Sequence, residues 1–346
     1  MTVSLFEAQT AEILDAVREV TSTTLPSASL APVTAVLVVI GTHATAAVYV
    51  AATEDAAANA GVMLRIERLA EDSSHNAVAK VLEQLVADKE CHGIALHLPL
   101  PDHLYETRLL EVIEGSGKDI DGLSARTVEN WANSLALSEV NRTCQHTVSA
   151  IIPTVPLACD ALLSARLAIQ CVTIQPARVL LMGLPQILVA SMCCVLTNCG
   201  HIVMVSEADS ALEESRSQMA CADVLIVCTR SDLLVAQWVS SGCILVDLGL
   251  SVASSPPSPM VRRRWTGKTQ QAIDCVACSD GLARRVAALR LQNACHAALM
   301  QQGFLEWETP TLPTACGRPT AAARTGGRGQ RTPRNAHVFE FRFDGD

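Results

Sequence analysis

Aromatic side chains are scarce in this 346-residue sequence, at 3% of the total, although the hydrophobic fraction is an ordinary 49%. The cores must therefore be closed with Ala, Val, Leu and Ile, a palette that suits strands buried on both faces of a parallel sheet. No long apolar run is present. Ile187 to Leu196, among the longest, stops far short of the ~20 residues a membrane-spanning helix needs. Positive charge is in deficit too. With 26 Lys and Arg against 35 Asp and Glu, the formal charge of -9 gives neither nucleic acid nor an anionic membrane an overall attraction. The N-terminal stretch carries Glu7 and no basic residue before Arg18, so neither a secretory signal nor an Arg-rich transit peptide is read there. A soluble, cytoplasmic protein is expected, with a mitochondrial one left open.

Cysteine is plentiful, but second pairs of it are missing. The 14 cysteines are spread over a long chain, and Cys193, Cys194, Cys228 and Cys243 fall in apolar runs, which points to reduced, buried thiols rather than a disulfide framework. Cys275-Val276-Ala277-Cys278 is a CxxC with no partner pair at zinc-site spacing, so packed thiols are expected and no metal is assigned.

A chain of this length is expected to hold two domains joined across a cleft. Val33 to Ile40 is a β-branched run closed by Gly41 and reads as a buried strand, followed by an Ala-rich helix from Ala46 to Ala60 that ends at Gly61. Met63 to Leu69 reads as a strand, His75 to Lys89 as a helix with Val78, Val81, Leu82, Leu85 and Val86 at helical spacing, and Gly93 to Leu98 as a third strand. This β-α-β-α-β order is that of a parallel, doubly wound sheet. A second set follows the segment Pro153 to Pro156: helix Ala158 to Leu167, strand Arg178 to Met182 turning at Gly183, helix Gln186 to Asn198, strand His201 to Val205, helix Ser210 to Ala220, and strands Val224 to Cys228 and Cys243 to Asp247. That alternation suits a dinucleotide-binding domain. Arg284 to Gln301 reads as a long helix. The tail 304–346 turns to Thr, Pro, Gly, Ala and Arg, and Pro310 to Asn335 is expected to be disordered. Gly326-Gly327-Arg328-Gly329 is one weak repeat and is read as solvated linker, with no nucleic acid as partner.

Three short segments stand out: Tyr49-Val50-Ala51-Ala52-Thr53, Leu96-His97-Leu98-Pro99-Leu100-Pro101 and Lys118-Asp119-Ile120-Asp121-Gly122. In order and spacing they resemble the substrate pocket of the bifunctional methylenetetrahydrofolate dehydrogenase/methenyltetrahydrofolate cyclohydrolase family. That family has Tyr-Val-x-x-Lys, Val-Gln-Leu-Pro-Leu-Pro and Lys-Asp-Val-Asp-Gly in these places, and the resemblance covers about Ser4 to Met300. It implies an α/β chain of two domains. Residues 1–149 with 283–303 would form a three-layer folate domain, 150–282 a Rossmann-like NAD(P) domain, and the last helix would pack back on the first domain. A tetrahydrofolate-type small molecule is the implied ligand, NADP or NAD the implied cofactor, and a homodimer or a heterodimer with a relative the implied assembly.

The resemblance also assigns roles. Asp121 would bind the pterin ring, since an acceptor suits its flat, donor-rich amidine edge; alternatively Asp119 and Asp121 only shape a turn before a helix. Leu98 and Pro99 would line the substrate site. Tyr49 would line the pterin pocket, and because i and i+4 share a helical face, residue 53 would look into the same cleft. The family lysine expected there serves proton transfer and water activation, supported by a glutamine. This sequence has Thr53 in place of the lysine and His97 in place of the glutamine. A threonine hydroxyl cannot act as a tunable ammonium, and no lysine precedes Lys80. His97 titrates near neutrality, so it is either a substitute base or a hydrogen-bonded cleft residue.

On the nucleotide side, the family's Gly-Arg-Ser-x-x-Val-Gly-x-Pro appears as Gly183-Leu184-Pro185-Gln186-Ile187-Leu188-Val189-Ala190-Ser191. Only Gly183 is kept. Leu184 and Pro185 remove a cation and donors, and Val189 replaces a glycine that allows close phosphate approach. Ser206-Glu207-Ala208-Asp209 stands where the family has a Cys-His-Ser-x-Thr type of segment, Arg230 falls on a glycine position, Val246-Asp247-Leu248-Gly249 keeps its Val-Asp-x-Gly character, and the closing loop from Ala277 to Val286 departs from the family pattern, with Asn293 still fitting. Two readings follow. Either this is a catalytically silent relative that keeps the fold, or it is an active, diverged dehydrogenase/cyclohydrolase that works with His97, Tyr49 and Asp121.

Overall fold

The structure is a computed structural model that describes residues 2–41, 44–140, 151–169, 176–206, 212–228, 238–240, 242–248, 274–277 and 280–303. The tail 304–346, Glu207 to Asp209, Arg230, Gly249 and Cys278 lie outside the described residues.

A first sheet is built on β1 (Thr34–Ile40), buried along its whole length, with β2 (Met63–Leu69) on one side and β3 (Gly93–Leu96) on the other. Both pairings are parallel, in the register Thr34 to Met63 and Ala35 to Gly93. Beyond β3, Ile94 and Asp119 form a parallel bridge, so the segment around Asp119 runs as a short extra edge and brings Asp121 toward the carboxyl end of β3. Helix α1 (Thr2–Glu19) continues through a π-helical stretch (Val20–Thr24) into the short α2 (Leu25–Ser27). Helix α3 (Ala44–Ala60) links β1 to β2, and α4 (His75–Ala87) links β2 to β3. The Ser74 hydroxyl accepts the Ala77 N–H at 3.3 Å and caps α4, whose Val78, Leu82 and Leu85 are buried at the i, i+4, i+7 spacing. Helices α5 (Glu106–Ile113) and α6 (Ala125–Val140) flank the Asp121 segment.

Helix α7 (Thr154–Ile169) leads into a second sheet of β4 (Arg178–Met182), β5 (Ile202–Ser206), β6 (Val224–Val227), β7 (Ile244–Asp247) and β8 (Asp274–Ala277), with α8 (Gln186–Asn198) and α9 (Leu212–Cys221) between strands. The order is β5-β4-β6-β7-β8 and every pairing is parallel. The winding reverses between β4 and β6, and their carboxyl ends open the crevice where such sheets bind ligands. The last helix, α10 (Asp280–Gln301), returns to the first sheet and packs on α3, α1 and α7. Its Ala287, Ala294 and Ala298 meet Ala56, Ala57 and Ala60 of α3 in one buried cluster, where small side chains let the two helices approach closely.

The architecture is the two-lobed α/β arrangement expected from the sequence, with α10 packed back as implied. Some boundaries differ. Strand β3 ends at Leu96 and not at Leu98, since Pro99 and Pro101 lack the N–H groups that would extend the ladder. Helix α7 starts at Thr154 and not at Ala158, because Pro156 sits in the first turn, where an N–H has no intrahelical partner to lose. No helix among the described residues is long and apolar enough to cross a membrane. Burial pushes the Cys243 and Cys295 thiols up to about 12, and burial together with the Asp160 charge does the same to Cys199, so these cysteines are protonated packing groups.

Candidate functional site

Three segments converge beside the carboxyl end of β3. From α3, Tyr49 is buried and its hydroxyl donates across to the Leu248 carbonyl just after β7, at 3.2 Å, tying the two lobes together. Thr53, one turn on, is only 2% exposed. Its hydroxyl donates back to the Tyr49 carbonyl at 2.7 Å, the i to i-4 bond that helical threonines commonly make.

The chain leaving β3 supplies His97 and Leu98. The His97 N–H donates to the Val38 carbonyl at 2.9 Å, which holds the residue against β1, and its ring lies 6.0 Å from the Tyr49 ring at a 49° tilt. Leu98 is buried beside it and Pro99 is half-buried.

The third segment divides its work by residue. Lys118 Nζ donates to the carbonyls of Val86 at 2.8 Å and Asp88 at 2.7 Å, closing the C-terminus of α4, and burial pushes its pKa down. Asp119 is the turn former: its two carboxylate oxygens accept the Gly122 N–H at 3.0 Å and the Ser124 N–H at 2.8 Å, while burial pushes its pKa up. Gly122 adopts φ +67°, and a Cβ there would lie 2.5 Å from the Ile152 carbonyl oxygen. Asp121 points elsewhere, into the cleft.

There Asp121 meets Arg290 of α10. Arg290 Nε donates to one carboxylate oxygen at 2.6 Å and Nη2 to the other at 3.0 Å, a two-pronged pair with both side chains at most 5% exposed. The Thr154 hydroxyl adds a third donor at 3.1 Å, and Arg290 Nη1 reaches the Thr53 hydroxyl oxygen at 3.4 Å. Asn293, one turn further along α10, donates to the Ile120 carbonyl at 2.9 Å and the Ile152 carbonyl at 2.8 Å, and accepts the Ile152 N–H at 3.1 Å. It thereby fixes the Asp121 segment and the entry to α7 on one helix. The space left among Tyr49, His97, Leu98, Asp121, Leu188 and Arg290 is about 20 Å³. The pocket is open to solvent on one side.

Leu188 comes from the first turn of α8, so this cleft adjoins the crevice of the second sheet. At the end of β4, Gly183 has φ +66° and turns the chain into α8. Pro185 is the N-cap and supplies no side-chain cap, while Leu184, Ile187 and Val189 pack against the main core. Ser206, ending β5, is buried with its hydroxyl 3.4 Å from that of Ser215. Arg230 and the segment from Glu207 to Asp209 lie outside the described residues.

The chain is similar to known proteins over part of its length. Residues 7–121 match the tetrahydrofolate dehydrogenase/cyclohydrolase catalytic domain, a span that holds Tyr49, Thr53, His97 and Asp121. The bifunctional protein FolD of Sphingopyxis alaskensis is 29% identical over 220 residues, covering 62% of this chain and 65% of the relative. Over this part of its length the chain is similar to FolD-type proteins. It spans just under two thirds of the length of the first curated relatives it matches. Among solved structures, the FolD methylenetetrahydrofolate dehydrogenase/cyclohydrolase of Campylobacter jejuni shares the fold with a TM-score of 0.61 and 23% identity, covering 85% of this chain and 96% of that one. The FolD enzyme of Trypanosoma brucei, solved with NADP and an inhibitor, gives a TM-score of 0.63 at 18% identity over 84% of this chain and 95% of that one.

The structure gathers Tyr49, His97, Leu98 and Asp121 at one pocket, with Thr53 behind Arg290. Gly183, Leu184, Pro185 and Val189 gather at the second crevice, and Ser206 ends the neighbouring strand. Sequence reasoning missed Arg290 and Thr154. The signal for Arg290 was a cation on the buried face of an Ala-rich helix, in step with Val286 and Asn293 at i-4 and i+3.

Proposed function

We propose that this chain is a tetrahydrofolate one-carbon protein whose methylenetetrahydrofolate dehydrogenase and methenyltetrahydrofolate cyclohydrolase activities are reduced or lost. One observation carries the reading. Tyr49, His97, Leu98 and Asp121 share a cleft, while the side chain one turn after Tyr49 is a threonine whose hydroxyl is engaged by helix backbone. Hydrolysis of a methenyl group needs a water activated by a group that can take and return a proton. A hydroxyl bonded to its own helix does not do this, and Arg290, the cation nearest it, stays protonated and holds Asp121.

Hydride transfer needs a nicotinamide beside the pterin. The crevice between β4 and β6 has the right place in the fold, but its turn does not fit a dinucleotide pyrophosphate. Pro185 gives no N–H at the helix start, and Leu184 is turned to the core where a cation or hydroxyl would be useful. No reaction step is therefore assigned to NADP or NAD here.

The test is direct. Purified protein is incubated with methylenetetrahydrofolate and NADP or NAD, and separately with methenyltetrahydrofolate. Rates at the uncatalysed level are expected in both. Turnover above that level that disappears in His97→Ala would establish the active reading instead.

A further inference from the structure

The Asp121–Arg290 pair has the chemistry of a ligand contact made inside the protein. A pterin offers an amino group and a ring N–H side by side, a planar pair of donors for a carboxylate. A guanidinium offers the same pair. Arg290 presents Nε and Nη2 to the two oxygens of Asp121 at 2.6 and 3.0 Å, and the Thr154 hydroxyl occupies a further lone pair at 3.1 Å. Neither charged side chain is more than 5% exposed, so water does not compete for the pair. Arg290 and Asp121 both line the pocket bounded by Tyr49, His97, Leu98 and Leu188, so the guanidinium takes the oxygens that a ring entering there would need.

We propose that Arg290 is an internal occupant of the pterin acceptor: it sets the specificity of the cleft by holding Asp121 in the geometry a pterin edge would need. The proposal rests on the reading of the cleft as folate-shaped. Its consequence is that Asp121, placed and oriented as an acceptor by Asn293, Thr154 and the Asp119 turn, is closed to pterins until the guanidinium leaves.

Tetrahydrofolate binding is measured by calorimetry on the full chain as wild type, Arg290→Leu, and Arg290→Leu with Asp121→Asn, each first checked for folding by circular dichroism and melting. The expected result is that Arg290→Leu binds tetrahydrofolate at least tenfold more tightly than wild type and that adding Asp121→Asn cancels the gain. Millimolar guanidinium should restore the missing group, displacing tetrahydrofolate from Arg290→Leu and raising its melting temperature. p-Aminobenzoylglutamate, which lacks the pterin, should gain nothing. If Arg290→Leu does not fold, Arg290→Met, which removes the guanidinium donors and keeps much of the side chain's length, takes its place. Equal binding by wild type and the folded Arg290 variant overturns the occupancy while leaving the folate cleft standing. Binding by neither folded protein overturns both.

Discussion

Restoring a lysine at position 53 is the obvious repair for this cleft, and the structure says that it fails by itself. Arg290 Nη1 lies 3.4 Å from the Thr53 hydroxyl oxygen, so the side chain introduced by Thr53→Lys enters space beside a guanidinium, and about 4 Å between the two charges is taken as the near limit. Two like charges at that separation repel by about 4 kcal/mol at an effective dielectric of ~20. Asp121 lies behind the guanidinium, at roughly twice the distance, and returns about half of this. The net repulsion is about 2 kcal/mol, which lowers the lysine pKa by between one and two units at 1.36 kcal/mol each, and burial lowers it further. A lysine with a depressed folded-state pKa binds fewer protons folded than unfolded. The stability deficit of Thr53→Lys is therefore full below the folded-state pKa and shrinks as pH rises from there toward about 10.4.

Arg290→Leu removes the repulsion and leaves Asp121 buried without its cation, a change that costs about 3–5 kcal/mol in comparable pairs. Combined with Thr53→Lys, the lysine becomes the counter-ion. Urea unfolding of the four proteins should then show the double variant more stable than the sum of the single effects by about 2 kcal/mol or more. Methenyltetrahydrofolate hydrolysis should rise in the double variant and stay at the uncatalysed rate in Thr53→Lys. Additivity within about 0.5 kcal/mol, or Thr53→Lys hydrolysing as fast as the double variant, would refute the placement of Arg290 against position 53.

Three further outcomes test the scaffold. Gly122→Ala combines φ +67° with a Cβ placed 2.5 Å from the Ile152 carbonyl oxygen and 2.8 Å from its carbon, so it should cost well over the about 1–2 kcal/mol of a left-handed residue alone; Gly200→Ala, at φ +88° with open space around it, should cost only that, and equal losses in melting experiments would contradict the packing. Asn293→Ala strips three buried backbone groups of their partners and should lose about 2–4 kcal/mol in urea, whereas a loss under 1 kcal/mol would mean the Asp121 segment is not held by α10. The Thr34 N–H donates to His92 Nδ1 at 3.1 Å, which requires a neutral ring, and burial pushes its pKa below 6.5. The native state thus binds fewer protons than the unfolded state between that lowered pKa and 6.5, and stability falls as pH drops through this window. His92→Asn keeps an acceptor without the titration, so its melting temperature should fall less than that of wild type between pH 7.5 and 5.5, and parallel curves would exclude His92 as the cause.

Much of the fold was legible because it rests on local pattern. β1 is a continuous apolar run and the Gly41 and Gly61 stops mark element ends, so the order of these strands and helices follows from sequence, while many of their ends are displaced by a few residues, at prolines and elsewhere. Helices α1, α5 and α6 and strand β8 were not assigned from the sequence: α1 shares its long-range packing with α10, α5 packs on α4, and β8 is a four-residue strand that among the described residues pairs with β7.

The candidate site was legible in its members and illegible in its state. Lys118, Asp119 and Asp121 read as one motif, yet they do three jobs, closing a helix, forming a turn and facing a cleft, and the turn that begins right after the bridge at Asp119 is what sends the two carboxylates in different directions. The decisive partner of Asp121 is 169 residues away in sequence, on a helix whose buried face is, apart from Asn293, mostly alanine, leucine and valine. No periodicity pairs an acid with a distant cation. Burial does, because an arginine among alanines on the inner face of a helix cannot stay unpaired and must find a carboxylate. A residue lost from a site, such as the lysine replaced by Thr53, can be read by comparing motifs. A residue gained against it is visible only when the packing shows which charge it has come to neutralise, and here that charge is the Asp121 carboxylate facing the cleft.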